Sequence, residues 1–186
     1  RLDGEIAYGD HWIGRLLYGL AARGALADTL FVFTADHGEY AGDHRLLYKG
    51  SLLFDGIMRV PLVFAWGSQL SRLQRGRRVA SMVQQIDIYP TVLSLLDLAI
   101  HPGVQGKSLA GTLRGGPEVG YERVTCELDL LPDTQYQPSH AIRSREWKLN
   151  YFPVARTACS STWWTTRPRR ATCTASRPAP ASARRS

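Results

Sequence analysis

The chain reads as an α/β protein, and three observations carry that reading. Residues Asp3 to Arg23 place apolar side chains at Ile6, Ile13, Leu16, Leu17 and Leu20, the spacing of a helix with one buried stripe. Leu30-Phe31-Val32-Phe33 is an apolar run too short for a helix and rich in strand formers, which predicts a buried strand. Between them, Gly24 is well placed to end the helix and Ala25 to Thr29 form a short connection. Helix followed by strand is the unit of layered α/β proteins.

The strand ends at Thr34-Ala35-Asp36-His37-Gly38, where a carboxylate and an imidazole stand side by side with a glycine behind them to let the chain turn. Strand tips of open α/β sheets are where ligands bind, so Asp36 and His37 are metal-ligand types in a useful place. Their mixed oxygen and nitrogen donors suit Mn²⁺, Zn²⁺ or Fe²⁺, whereas Ca²⁺ prefers more oxygens. On those two residues alone, a strand-end Asp capping the next turn beside a packed or solvated His37 is the simpler reading. Asp43-His44 and Lys49-Gly50 follow within one loop length.

Further along, Val60 to Trp66 predicts a second strand, with Pro61 marking its start or an edge. Gly67 to Arg78 is polar and basic, with Arg72, Arg75, Arg77 and Arg78 around Gly76. No aromatic residues interleave with these charges, so a solvated loop explains them better than a phosphate or nucleic-acid patch. Val79 to Val83 predicts one more short strand. Asp87 is placed as an N-cap, Pro90 is tolerated in the first turn, and Val92, Leu93, Leu95, Leu96 and Leu98 give an apolar helix. Tyr121 to Leu128 predicts a strand, and Ala141 to Arg143 with Trp147 to Phe152 predicts a hairpin around Ser144-Arg145-Glu146.

Composition narrows the function classes. With 186 residues and 44% hydrophobic content the chain is long enough for one ordinary domain. No run approaches the roughly 18 apolar residues of a membrane span. The formal net charge of +7 suggests nucleic acid, but residues Arg156 to Ser186 carry seven arginines and no acid, which leaves the rest of the chain balanced. No basic face for nucleic acid is expected. Of three cysteines only Cys126 lies outside that tail, in a strand-like setting that predicts a buried, inert thiol, so neither a disulfide framework nor a zinc-finger spacing exists there. The chain begins with Arg1, without an initiator methionine or a signal-peptide pattern, so its true beginning is expected to be missing. Compartment, whether cytoplasmic or periplasmic, and oligomeric state cannot be read from it.

The ordered set of a hydrophobic strand, T-A-D-H-G-E, G-D-H, K-G and then Arg59-Val60-Pro61 resembles the sulfatase family of the alkaline phosphatase superfamily, including its arylsulfatase and phosphonate monoester hydrolase members. The resemblance runs to near Asn150. Gly106-Lys107-Ser108-Leu109 and Leu113-Arg114-Gly115 are similar to a D-G-x-S-L…L-x-G segment of that family, with Gln105 where Asp is usual, and A-I-R-S-R-E-W-K-L matches its C-terminal hairpin. It implies part of an alkaline phosphatase-like sandwich, with a mainly parallel sheet flanked by helices and a small C-terminal antiparallel sheet. Residues 1–115 would then be the C-terminal part of the catalytic domain, and 116–153 the start of the small subdomain.

The resemblance also implies site roles. Asp36 and His37 match a late pair of metal ligands, often Asp-Asn in sulfatases and Asp-His in the phosphonate hydrolase branch. Lys49 matches an active-site lysine that would hold substrate oxygens and offset charge in the transition state. His44 has two readings: it touches substrate or the leaving oxygen, or it braces the loop through Asp43. The implied cofactor is one divalent ion, Ca or Mn, with a formylglycine nucleophile made from a C/S-x-P-x-R motif upstream; no such motif occurs in these residues, and the first two metal carboxylates are missing too. The expected activity is metal-dependent hydrolysis of a small anionic sulfate ester. Phosphonate or phosphate ester hydrolysis and an inactive remnant are the alternatives.

Residues 154–186 differ in kind, being dominated by Ala, Ser, Thr, Arg and Pro without acids, which predicts a disordered basic tail. Trp163-Trp164-Thr165-Thr166 must be encoded TGG TGG ACN ACN, and reading one nucleotide earlier gives Leu-Val-Asp-Asp. With GC-rich codons the continuation reads Pro-Ala-Glu-Ala-Arg-Asn-Leu-Tyr, similar to what sulfatases carry after this hairpin. Our hypothesis is that the tail is an out-of-frame translation of the normal C-terminus, which resequencing the gene tests: a continuous frame would sink it. An arginine-rich tail for an acidic partner is the rival.

Overall fold

The computed structural model describes residues 2–67, 73–129 and 138–153, together with the backbone of 157–162 and 172–175. Helix α1, Leu2–Ala22, carries Asp3 and Glu5 in its first turn, where acids complement the helix dipole. Gly24 follows in the left-handed region at φ 70°, and its amide donates to the Ala21 carbonyl at 2.9 Å. The apolar stripe predicted to be buried is not. No residue of α1 is buried, and Ile6 and Leu16 are 61% and 57% exposed. The element packed against it is the 3₁₀ turn Ala25–Asp28, which is too small to cover 21 residues of helix.

Strand β1, Leu30–Thr34, pairs antiparallel with β2, Leu62–Trp66, with Leu30 opposite Trp66 and Thr34 opposite Leu62. Pro61 lies just before β2, where its missing N–H costs no ladder bond. Between the strands lie a loop and the one-turn helix α2, Asp55–Met58. Trp66, Leu30 and Phe64 share a core cluster with Leu73, with Leu95 of α3, Ile88–Leu95, and with Ala110 and Leu113 of α4, Ala110–Leu113. Val79 to Val83 makes only an isolated bridge, Met82 to Tyr121. The expected strand does not form because the amides of Ala80 and Ser81 donate instead to the Glu118 carboxylate, at 3.1 and 2.9 Å.

Asp87 stands at the start of α3 as predicted, but its side chain does not cap that helix. It accepts the Gln84 amide at 2.8 Å, the Lys107 amide at 2.7 Å and the Tyr121 hydroxyl at 2.7 Å. The helix is also shorter than its apolar run: Leu96 and Leu98 fall beyond it and are 44% and 54% exposed.

The C-terminal part is a five-stranded antiparallel meander, β3 Arg123–Leu128, β4 Ser139–Ser144, β5 Trp147–Phe152, β6 Thr157–Thr162 and β7 Thr172–Ala175. The predicted hairpin is β4–β5, with Ile142 opposite Leu149, and its turn is pinned by Ser144, whose hydroxyl accepts the amides of Glu146 and Trp147. The inner face of β3 and β4, through Cys126, Leu128 and Ala141, packs on Tyr40, Leu53, Phe54 and Ile57. Cys126 is half-buried rather than buried, and burial pushes its thiol up from the ordinary range, which suits an inert group.

Two expectations meet a different outcome. Both sheets among the described residues are antiparallel, and a mainly parallel sheet is not present within them. Within 154–186, expected to lack regular structure, the backbone of Thr157–Thr162 continues the ladder beyond β5 and that of Thr172–Ala175 follows it. Threonine-rich segments suit extended backbone, and β5 offers an open edge. Trp163-Trp164, Arg169-Arg170, Arg184-Arg185 and Arg72 lie outside the described residues. Among the described residues no helix is long and apolar enough to cross a membrane.

Candidate active site

β1 delivers the chain to Ala35 and Asp36, and a residue far along the sequence holds it there. The Gln85 side-chain amide donates to the Ala35 carbonyl at 2.6 Å and to the Asp36 carbonyl at 3.1 Å. Nothing in the sequence around Gln85 marks it for this. Gly38 donates its amide to the Ile57 carbonyl at 2.8 Å, and a methyl group on Gly38 would overlap the Gly56 carbonyl oxygen. Its φ is not positive, so glycine is needed here for close approach to α2 rather than for a turn.

The Asp36 carboxylate accepts the His37 amide at 2.9 Å, its Oδ2 lies 3.6 Å from His37 Nε2, and its side chain is 88% exposed. That amide, with help from the His37 ring and Lys49, holds the Asp36 carboxyl below its ordinary range. His37 Nδ1 lies 2.8 Å from the Gly38 carbonyl oxygen, which can only accept. Nδ1 therefore carries the proton in the neutral ring, and Nε2 keeps its lone pair. The Lys49 ammonium sits 3.1 Å from that Nε2. Two predicted residues twelve positions apart thus meet at one atom.

The loop that returns Lys49 to His37 is held in uncommon backbone geometry. Ala41, Gly42, His44, Arg45 and Tyr48 all have φ between 51° and 93°. Non-glycine residues in this region persist only where their surroundings impose it, and such residues gather at functional sites. Here Tyr40 imposes it: its amide donates to the Tyr48 carbonyl at 2.8 Å, while its buried hydroxyl donates to the Leu52 carbonyl at 2.8 Å and accepts the Leu52 amide at 3.0 Å.

His44 is turned inward. Its ring stacks on Phe54, with centroids 4.2 Å apart and planes at 23°. Nε2 is buried without a hydrogen-bond partner, and Asp43 Oδ2 lies 3.8 Å from it. No hydrogen bond joins His44 to Asp36, His37 or Lys49 among the described residues. Beneath Phe54 lies a buried ion pair: Lys148 of β5, fully buried, donates to Asp55 Oδ1 at 3.1 Å, and Arg143 of β4 lies 3.4 Å from Asp55 Oδ2. Sequence reading missed Tyr40, Phe54, Asp55 and Lys148, because an apolar run such as Leu52-Leu53-Phe54 looks like any core segment.

Asp36 and the Nε2 of His37 fit a divalent ion as far as they go, once the Lys49 ammonium that takes the Nε2 lone pair turns aside. One is an open carboxylate, and the other an imidazole whose second nitrogen donates to a carbonyl, the usual arrangement behind a metal-bound histidine. Two donors are too few to enclose an ion, and no group of three or more His, Cys, Asp or Glu side chains suited to a metal occurs among the described residues.

The fold thus brings a carboxylate, an imidazole and an ammonium together at a strand tip. Comparison with known proteins gives the family. The sulfatase family model matches residues 1–98, and the chain belongs to the sulfatase family. It is 36% identical over 106 residues to an arylsulfatase of Clostridium perfringens, covering 57% of this chain and 22% of that protein. To a choline-sulfatase of Rhizobium meliloti it is 30% identical over 151 residues, covering 79% of this chain and 27% of that one. Among solved structures, a putative sulfatase from Bacteroides thetaiotaomicron superposes with a TM-score of 0.64 at 25% identity, over 72% of this chain and 29% of that one. A protein solved with its substrate D-glucosamine-2-N,6-O-disulfate shares the fold, with a TM-score of 0.68 at 24% identity over 77% of this chain and 29% of that one. The chain spans only 17% to 27% of the length of the curated relatives it matches.

Proposed function

We propose that these residues supply part of the site of a metal-dependent sulfate ester hydrolase. The observation that carries the reading is the meeting of the His37 lone pair with the Lys49 ammonium, 3.1 Å apart, beside the exposed Asp36 carboxylate. Asp36 and His37 would hold one divalent ion, calcium or manganese, together with carboxylates from elsewhere in a longer chain. That ion supplies Lewis-acid polarisation of the ester oxygens and activation of the nucleophile, which in this family is a formylglycine hydrate. Lys49 neutralises the sulfate oxygens and the charge that grows on them as the bond breaks. His44 faces Phe54 and contributes through the shape of the loop, or reaches substrate once one is bound. Residues 1–115 act as the end of a catalytic domain, and 116–153 as the start of its small antiparallel subdomain.

A second reading within the superfamily, phosphonate or phosphate ester hydrolysis, is favoured by His37, which stands where sulfatases often carry asparagine. A gene encoding these residues in frame with an upstream C/S-x-P-x-R motif decides between them when assayed on aryl sulfates and aryl phosphonates. Faster sulfate turnover, lost on Asp36→Ala and lowered roughly 10²- to 10³-fold by Lys49→Ala, supports the first reading. Faster phosphonate turnover supports the second, and none of either identifies a remnant. The 186 residues alone are expected to turn over neither ester, and metal-dependent turnover by them would refute the two-ligand description.

A further inference from the structure

Lys148 has no role in the reading above, yet it is fully buried, at 0% exposure, as among the described charged residues Asp87 also is. Burying a lysine is costly, and an apolar side chain of similar length in that place is often as stable or more so. Its position is what singles it out. The ammonium pairs with Asp55 at 3.1 Å and lies 5.3 Å from the centroid of the Phe54 ring. Phe54 and Asp55 are adjacent, at the start of α2, and the Phe54 ring carries the stacked His44 ring. The chain of contact runs from β5, through an ion pair between a fully buried lysine and a partly exposed aspartate and through an aromatic ring, to a histidine at φ 52° in the strained loop.

An ion pair adds what packing alone does not, namely a direction. A Phe54 ring packed among Tyr40, Leu53 and Ile57 could rotate or slide by fractions of an ångström at little expense. Asp55 is held from two strands, by Lys148 of β5 and Arg143 of β4, and this fixes the backbone at Phe54. The ammonium near the ring adds a cation–π attraction, which is stronger away from water.

We propose that Lys148 is a positioning residue, which through Asp55 and Phe54 sets the orientation of the His44 ring. The small C-terminal sheet thereby carries part of the active-site geometry. This rests on the assignment of the loop to the active site, but its test needs no turnover.

The test is NMR of the histidine-labelled 186-residue chain. A ring stacked on Phe54 experiences an upfield ring-current shift, so the His44 ring protons lie upfield of those of the exposed His101; His11, whose ring lies 5.8 Å from that of Trp12, serves only as a second unmoved marker. Phe54→Leu abolishes that displacement and identifies its source. Lys148→Met is expected to remove at least half of it while His11 and His101 stay in place, and Lys148→Arg to restore most of it. Lys107→Met, which removes a lysine lying 4.0 Å from the Tyr121 ring, leaves His44 unmoved. If Lys148→Met does not fold, the double variant Asp55→Asn with Lys148→Met takes its place, leaving the partly exposed Arg143 as the one charge of the cluster, and the same shift is read. An unmoved His44 in Lys148→Met or in the double variant overturns the proposal. So does the absence of any upfield displacement in the parent chain. Either result leaves the roles of Asp36, His37 and Lys49 standing, whereas failed ester hydrolysis by the restored gene would overturn those roles without touching the His44 shift.

Discussion

Asp87 is fully buried and ties three separate segments together through the Gln84 and Lys107 amides and the Tyr121 hydroxyl. Removing it breaks three hydrogen bonds that are partly screened from water, so Asp87→Ala is expected to destabilise the chain by about 2–3 kcal/mol, read as a fall in the urea midpoint. Asp55 gives a prediction of a different kind. Burial alone would raise its carboxyl, but the ammonium of Lys148 and the guanidinium of Arg143 outweigh burial and hold it below its ordinary range. A lowered carboxylate stabilises the fold above its unfolded pKa of about 3.9, and that stability is lost as pH falls through the folded value. Asp55→Asn should therefore flatten the loss of stability between about pH 5 and 3, measured by urea unfolding at each pH. Burial lowers Lys148 in turn, so its penalty eases as pH rises toward about 10.4 and this group does not oppose the acid-side trend.

At the scale of elements, α1 shows how a correct pattern can have an outcome unlike the one it suggests. The stripe at Ile6, Ile13, Leu16, Leu17 and Leu20 predicted a helix, and the helix forms, but the stripe stays open because the described elements do not cover it. Exposed positions contribute little, so Ile6→Lys is expected to change stability by less than about 0.5 kcal/mol in the urea midpoint of this chain. Val79 to Val83 shows the converse. Its short, mostly apolar run suits a strand, yet Glu118 takes the amides that a ladder would use. Local pattern reports which side chains prefer to be covered; which backbone groups are already occupied depends on a carboxylate nearly forty residues away.

For the whole molecule, the important contact lies between the loop that carries Lys49, with α2, and the inner face of the C-terminal sheet. Ala141 is buried there with the cluster of Tyr40, Leu53, Phe54 and Ile57. A larger side chain has no room without moving the sheet from the loop, so Ala141→Leu should destabilise by about 1–3 kcal/mol in denaturant unfolding. Short-range order is what made much of this molecule readable in advance. Asp36, His37 and Lys49 fall within one loop, the hairpin of β4 and β5 has a short turn, and Gly24 stands just past its helix, so neighbouring residues carried the information. The contact between Lys49 and His37 could be anticipated for the same reason, since only twelve positions separate them. Lys148 and Asp55 are 93 positions apart, and neither residue differs in type from an ordinary surface charge. Their pairing, the Gln85 clamp and the inward turn of His44 exist only once the sheet has folded against the loop, because burial gives these polar groups partners that no local pattern encodes.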